Sequence, residues 1–377
     1  MKLQTANRIL GRYPRQTKLA ITIARAFIGG AIASSMCQPG IAAPKGGVVA
    51  AGSAEITSTP SATLIRQNSN RAVIDWASFN IAAGEAVKFV QPGGSAAALN
   101  RIHDASPSQI FGQLNANGQV YLVNPNGIVF GRTASINVGS LMASTADIAN
   151  ADFMAGRMNF AIAGNPRAAV VNEGSIAAAQ GGFVALAAPN VRNSGIITAR
   201  LGRVSLASGD SFTLDFYGDS LISVALDRDT LASLLDSQGR PVTRYVGNDS
   251  SILADGGRIE ILAASAQNLL AATVNLGGIV RARGVESRNG VIFLDAGPGG
   301  DLAVSGKLDV TAATGGTGGR IAATGATVSL LAGALADASG AEGGGTIVLG
   351  DMAATAVVNV APGAVVAADA ASRGDGG

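Results

Sequence analysis

A chain of 377 residues with 51 glycines, 47% hydrophobic, 14% charged and 4% aromatic residues carries too much small apolar material and too little charge to be disordered. One histidine and one cysteine exclude a zinc or disulfide framework. The formal charge of +2 belongs to the leader: residues 1–43 hold six of the 27 basic residues and no acidic one, which leaves 21 basic against 25 acidic residues in the remainder, so no nucleic-acid partner is expected.

In chain order, residues 1–43 read as a secretory signal peptide of the long kind. They have a basic start, an apolar run from Leu19 to Met36 and small residues at Ile41-Ala42-Ala43. Pro44 makes cleavage after Ala43 ambiguous, and Cys37 raises a lipoprotein alternative that Ser34-Ser35-Met36 does not match. From Gly46 to Val90, alternation such as Ala72-Val73-Ile74-Asp75-Trp76 and Ala86-Val87-Lys88-Phe89-Val90 predicts half-buried strands. Residues 96–101 and His103 to Gln109 read as an irregular link. Then come two turn sequences, Asn115-Ala116-Asn117-Gly118 and Asn124-Pro125-Asn126-Gly127, flanking the strand pattern QVYLV and followed by Ile128 and GIVFG. Pro presets φ at a turn's first corner, and Asn and Gly tolerate positive φ.

Past residue 170 a unit of the form Val-x-x-x-Gly-x-(Ile/Leu/Val)-x-Ala recurs, as in VNEGSIAAA from Val171, VRNSGIITA from Val191 and VNLGGIVRA from Val274. Gly-initiated strands lie between these units, beginning at Gly182, Gly202, Gly257, Gly290, Gly319 and Gly345. Short strands with no helical pattern between them predict an all-β parallel β-helix, in which each coil supplies two or three strands and inward Val, Ile, Leu and Ala stack into one core. A β-sandwich would need more two-residue hairpin signals than are present. Asp227 to Arg240 reads as a short helix inserted in the coil, with an Asp cap, a leucine face and a Gly stop. The final ASRGDGG falls in mid-repeat, so the chain is expected to be the N-terminal part of a longer repetitive protein or a truncated copy.

The run IDWASFNIAAGEAVKFVQPGGSAAALNRI, then SQIFGQLNANGQVYLVNPNGIVFG and INVGSLMAST, closely resembles the secretion domain of the filamentous haemagglutinin family, the exported partners of two-partner secretion. That resemblance implies a right-handed parallel β-helix with an N-terminal cap. It also implies export by the Sec translocon and signal peptidase, and then passage through an outer-membrane β-barrel transporter with periplasmic recognition domains, to the surface of a Gram-negative bacterium or beyond. The expected organisation is a signal peptide at 1–43, a capped secretion domain at 44–210 and continuing repeats at 211–377. Adhesion to host-cell surfaces or glycans is the expected role; carriage of a downstream toxin or haemolysin is the alternative, and a β-helix polysaccharide-degrading enzyme a more distant one. Some members carry an Asn-Pro-Asn-Leu sequence upstream, and here the corresponding region reads Ala98-Leu99-Asn100-Arg101.

The candidate recognition or cap-turn residues are Asn100, Asn115, Asn117, Asn124, Pro125, Asn126, Gly127 and Ile128. Each has a plain structural reading beside the functional one: a turn that closes a coil, or a buried amide satisfied within the cap. Trp76 reads as a core anchor and His103 as a loop or cap residue. Arg373-Gly374-Asp375 and Pro298-Gly299-Gly300-Asp301-Leu302 read as turns of the repeat. Asp75, Asp104, Asp210, Asp215 and Asp219 show no spacing that pairs carboxylates for acid–base chemistry. No catalytic residue, cofactor or metal is expected.

Overall fold

The computed structural model describes residues 43–215, 221–225, 244–264, 272–285, 288–312, 315–350, 355, 357–372 and 374–377. The signal-peptide assignment, all but residue 43 of it, and the inserted helix at 227–240 lie outside the described residues. So does Arg373 of the Arg-Gly-Asp sequence.

The chain winds as a parallel β-helix with three faces. One face is an eleven-stranded sheet that runs from Val48–Ala51 and Arg71–Trp76 to Thr346–Leu349. The second has nine strands, from Ser108–Ile110 to Val357–Val360. The third has twelve, from Ala54–Ser58 and Ala62–Gln67 to Val365–Ala367. Successive strands pass from face to face, so Gln119–Val123, Ile128–Phe130 and Ser135–Val138 lie on the first, second and third faces of one coil. Pairing is parallel and in register along each face. Only at the start do antiparallel pairs occur on these faces, between Val48–Ala51 and Arg71–Trp76 and between Ala54–Ser58 and Ala62–Gln67. They cover the first coil and form the expected cap.

The repeats of the sequence map onto these faces. The Gly-initiated segments are strands of the first face, as in Phe183–Ala188, Arg203–Ser208 and Arg258–Ala263. Each Val-x-x-x-Gly unit supplies one strand of the second face, a corner, and one strand of the third, as in Asn190–Asn193 and Ile196–Thr198. Inward positions align along the axis into continuous columns. One runs Val87, Leu114, Ile136, Ile176, Ile197, Ile252, Val280, Leu308 and Ala336, every member buried. Burying one such branched side chain contributes about 1.5–3 kcal/mol, and the contribution repeats at every coil.

The glycines that open the first-face strands form a column of their own. A Cβ at Gly182 would lie 2.0 Å from the carbonyl oxygen of Gly139, one at Gly202 would lie 1.9 Å from that of Gly182, and one at Gly257 would lie 2.1 Å from that of Gly202. Backbones therefore meet at this corner with no room for a side chain. At another corner, buried Asn172, Asn193 and Asn248 form a ladder: Asn172 Nδ2 donates to Asn193 Oδ1 and Asn193 Nδ2 to Asn248 Oδ1, each at 2.7 Å.

Three features depart from expectation. Of residues 96–101, expected as an irregular link, all but the first belong to a strand, Ala97–Ile102, paired with Arg71–Trp76 on one side and Gln119–Val123 on the other. Nearly every residue of it is buried, so it lacks the polar alternation of a half-buried strand. Likewise Asn115 and Ala116 end the strand Gln113–Ala116, and the corner there is only Asn117-Gly118. The coil is also left at a place the repeats did not announce. Between Ser140–Ser144 and Ala169–Asn172 the chain forms the helix Asn150–Ala155, closed by Gly156 at φ 80°, and the strand Asn159–Phe160. That strand pairs antiparallel with Ser211–Leu214, which pairs with Ile222–Ala225. The small sheet and the helix cover the outer side of the first face, where Phe153, Phe160 and Phe212 bury Val73, Leu99, Tyr121, Met142 and Ala185. Tyr121 sits edge-on to Phe153, with ring centroids 5.3 Å apart.

Candidate functional site

The turn at Asn124 joins the first and second faces, and its sequence accounts for its geometry. Asn124 Oδ1 accepts the Asn126 N–H at 2.9 Å, and the Asn124 carbonyl accepts the Gly127 N–H at 3.0 Å. The chain therefore reverses within four residues around the fixed φ of Pro125. Gly127 has φ 115°, and a Cβ there would lie 2.7 Å from the Ala169 carbonyl oxygen. Only glycine meets both conditions.

The turn is stitched to the chain on both sides. Asn124 is fully buried; its Nδ2 donates to the Ser106 carbonyl at 3.1 Å and to Ser108 Oγ at 3.0 Å. Asn126 Nδ2 donates to the Asp104 carbonyl at 2.9 Å, and the Pro125 carbonyl accepts the Asn165 N–H at 2.9 Å. Ile128 and Gly127 are buried, while Pro125 and Asn126 are half-buried beside the exposed residues 105–107. The corner that reaches solvent thus consists of Pro125, Asn126 and the loop of Asp104 to Pro107.

The other candidate asparagines lie elsewhere in the cap. Asn100 faces the interior, where its Oδ1 accepts Trp76 Nε1–H at 3.0 Å and its Nδ2 donates to the Tyr121 carbonyl at 3.2 Å. Trp76 is 1% exposed and packs edge-on to Phe79 at 5.4 Å, so it is the aromatic anchor of the cap. Asn117 pairs with the Gln91 backbone in both directions, accepting its N–H and donating to its carbonyl, each at 2.8 Å. Asn115 is half-buried on a third-face strand, in register with Lys88 and Asn137. Asn100 is therefore an internal fastener and Asn117 an exposed one, while Asn115 and the Asn124 turn each reach solvent in part.

Two groups of residues not singled out in the sequence complete the cap. Gln91 Nε2 donates to Gln67 Oε1, to the Ala96 carbonyl and to the Gln119 carbonyl, and Gln91 Oε1 accepts the Gly118 N–H, which fastens one corner along three coils. Arg101 joins the cap to the excursion: its guanidinium donates to Asp147 at 2.6 Å, Asp75 at 3.2 Å, Asn150 Oδ1 at 2.8 Å and the Ile148 carbonyl at 2.6 Å. Burial alone would ease the proton off, but Asp147 and Asp75 hold Arg101 charged. The partner sits 46 residues away in sequence, so no local pattern announces it. His103 is exposed, with Nε2 3.3 Å from Asp75 Oδ1.

The carboxylates weighed for acid–base chemistry are dispersed. Asp75 pairs with Arg101, Asp104 Oδ1 accepts the Ser106 N–H, and Asp210 is buried near the small sheet; Asp219 lies outside the described residues.

Comparison with known proteins adds the following. The model of the TPS secretion domain family matches residues 41–308. A heme/hemopexin-binding protein of Haemophilus influenzae strain Rd is 36% identical over 202 residues, covering 52% of this chain and 22% of the relative. A second Haemophilus influenzae protein of that description is 33% identical over 256 residues, covering 62% of this chain and 26% of the relative. This chain thus spans about a quarter of the length of these curated relatives. Among solved structures, the HMW1 secretion domain from Haemophilus influenzae superposes with a TM-score of 0.73 at 29% identity, covering 87% of this chain and 84% of that one.

Proposed function

The chain belongs to the TPS secretion domain family, and from that membership we propose that it is the export-directing part of a secreted two-partner exoprotein, read in the periplasm by an outer-membrane β-barrel transporter. Residues 44–210 are the secretion domain proper and 211–377 are coils that follow it. In support, the cap network of Gln67, Gln91, Asn100, Arg101 and Asn117 and the Asn124 turn all lie before residue 210. Sec passage with removal of the leader precedes this step, and adhesion to a host surface or glycan follows it; carriage of a downstream toxin is the second reading. The protein is not an enzyme in this reading. The dispersed carboxylates favour that, since an acid–base pair has to converge on one reacting bond.

The observation that carries the assignment of a recognition surface is the split within the Asn124 turn: Asn124, Gly127 and Ile128 are buried while Pro125 and Asn126 reach solvent. Export with the cognate transporter should therefore separate two kinds of variant. Asn126→Ala, which gives up one hydrogen bond to the Asp104 carbonyl, is expected to keep the purified domain folded and to lower its secretion. Asn124→Ala, which strips the Ser106 carbonyl and Ser108 Oγ of their donor, is expected to lower melting temperature and secretion together. Undiminished secretion of a folded Asn126→Ala variant, and of Pro125→Ala beside it, would remove the turn from the recognition surface.

A further inference from the structure

A trough with arginines along its length runs over the glycine column of the first face. Two clefts compose it. One is lined by Arg71, Ser95, Gln119, Ser140, Gly182 and Arg203. The other is lined by Arg203, Gly257, Arg258, Arg288 and Asn289. They share Leu201, Gly202 and Arg203 and so are continuous. Arg71, Arg203 and Arg258 occupy one register position across the sheet, on its second, seventh and eighth strands. With strands spaced about 4.8 Å apart, the five pairings from Arg71 to Arg203 and the sixth to Arg258 make the trough about 29 Å long.

Among the described residues, Arg258 is the one arginine of the trough with a carboxylate partner. Arg71 Nη1 is buried and meets no acceptor among the described residues, and the guanidinium carbon lies 5.6 Å from the Phe153 ring centroid. Among the described residues, Arg203 Nη1 reaches the Asp215 carbonyl, at 3.5 Å. Arg258 pairs with Glu260 at 2.6 Å, and Arg288 is exposed. No described residue that lines either cleft is acidic. A guanidinium N–H taken out of water without an acceptor is costly, and native structures keep few of them; a bound oxyanion would supply the acceptor in the bidentate geometry that guanidinium favours. Leu201, at the junction of the two clefts, holds a left-handed φ of 54° without being glycine, a conformation that persists only where its surroundings impose it.

The shape selects the ligand. The floor is bare backbone, because a Cβ at Gly182, Gly202 or Gly257 would strike the preceding coil. The strands beneath are hydrogen-bonded on both edges, so a peptide finds no edge to extend. Duplex nucleic acid carries one charge per about 1.7 Å of axis, far denser than four arginines over this length. The walls offer hydroxyl and amide groups from Ser95, Ser140 and Gln119. We propose that the trough binds a linear acidic polysaccharide, with a uronate carboxylate seated on Arg71 and others of the same chain on Arg203 and Arg288.

The test uses the full purified chain and soluble polygalacturonate, with neutral dextran as control, read by isothermal titration at physiological salt. Binding of polygalacturonate and not dextran is expected, weakened at least tenfold by Arg71→Gln and by Arg203→Gln. Gln119→Glu keeps an acceptor for the Tyr121 hydroxyl, which bonds Gln119 Oε1 at 3.0 Å, while placing a negative charge in the trough; it should abolish binding in a protein that melts like the parent. Arg192→Gln, on another face and paired with Asp249, should bind as the parent does. Absence of binding by the parent, retention of binding by folded Gln119→Glu, or an equal loss in Arg192→Gln would each overturn the proposal.

Discussion

Asn100 is the residue on which the cap's interior depends, because it serves a tryptophan donor on one side and a backbone carbonyl on the other. Asn100→Ala leaves the buried Trp76 Nε1–H without an acceptor and opens a small void. An unsatisfied buried donor costs about 1–3 kcal/mol, and denaturant unfolding should show a loss in that range. Asp309 makes a second residue-scale prediction. Its side chain is 1% exposed, and burial alone would raise its pKa, but hydrogen bonds from Arg283, Thr311 and Lys307 hold the carboxyl down at about 2. The unfolded chain returns it to about 3.9. The resulting stabilisation, about 2.6 kcal/mol, is complete above pH about 5 and is lost as the pH falls through about 2. Asp309→Asn should lower stability at pH 7 and flatten its acid dependence between those values, measured by urea unfolding at a series of pH values. Asn100 was legible beforehand as a buried amide of the cap, but its partners were not, and Asp309 was not legible at all. Asn100 lies in a strand buried on both sides, which carries no alternation to read, and the Arg283 partner of Asp309 is 26 residues away in sequence.

Among elements, the strands and the order of faces were the most legible part of the fold. A Gly-initiated Val or Ile segment that recurs after 20 residues from Gly182 to Gly202, and after 26 to 33 residues from Gly257 onward, marks the first-face strands, and register confirms it at Val184 opposite Val204 and Ile292 opposite Ile321. What glycine was doing there was read only in part. Positive φ explains the Asn124 turn, where Gly127 has φ 115°, whereas along the first-face column the constraint is the approach of one backbone to the next. Gly202→Ala, with its Cβ 1.9 Å from the Gly182 carbonyl oxygen, should destabilise by about 3 kcal/mol, as overpacking does. Gly93→Ala, where a Cβ meets nothing within 4 Å, should stay within about 0.5 kcal/mol of the parent; denaturation midpoints of the two variants check both. The excursion from residue 145 to 168 went unread for a different reason. Its strand Asn159–Phe160 finds its partner Ser211–Leu214 more than fifty residues on, and a two-residue strand leaves no pattern of its own.

Across the whole molecule, every strand of a coil bonds the strand above it and the strand below, so the hydrogen bonds lie along the long axis of the solenoid. That orientation sets its response to load. A force pulling the two ends apart along the axis meets those bonds head-on and opens them one coil at a time, as a zipper opens, where a sheet loaded in shear resists with all its bonds at once. A coil of the length that separates Val184 from Val204 stands about 4.8 Å tall when wound, and its 20 residues pay out about 68 Å when unwound. Single-molecule extension between Gly46 and Gly345 should therefore give a train of small, similar steps in place of one large rupture. A surface-anchored chain built this way yields gradually under tension and works as a shock absorber, lengthening more than tenfold per coil while the coils still wound hold their shape.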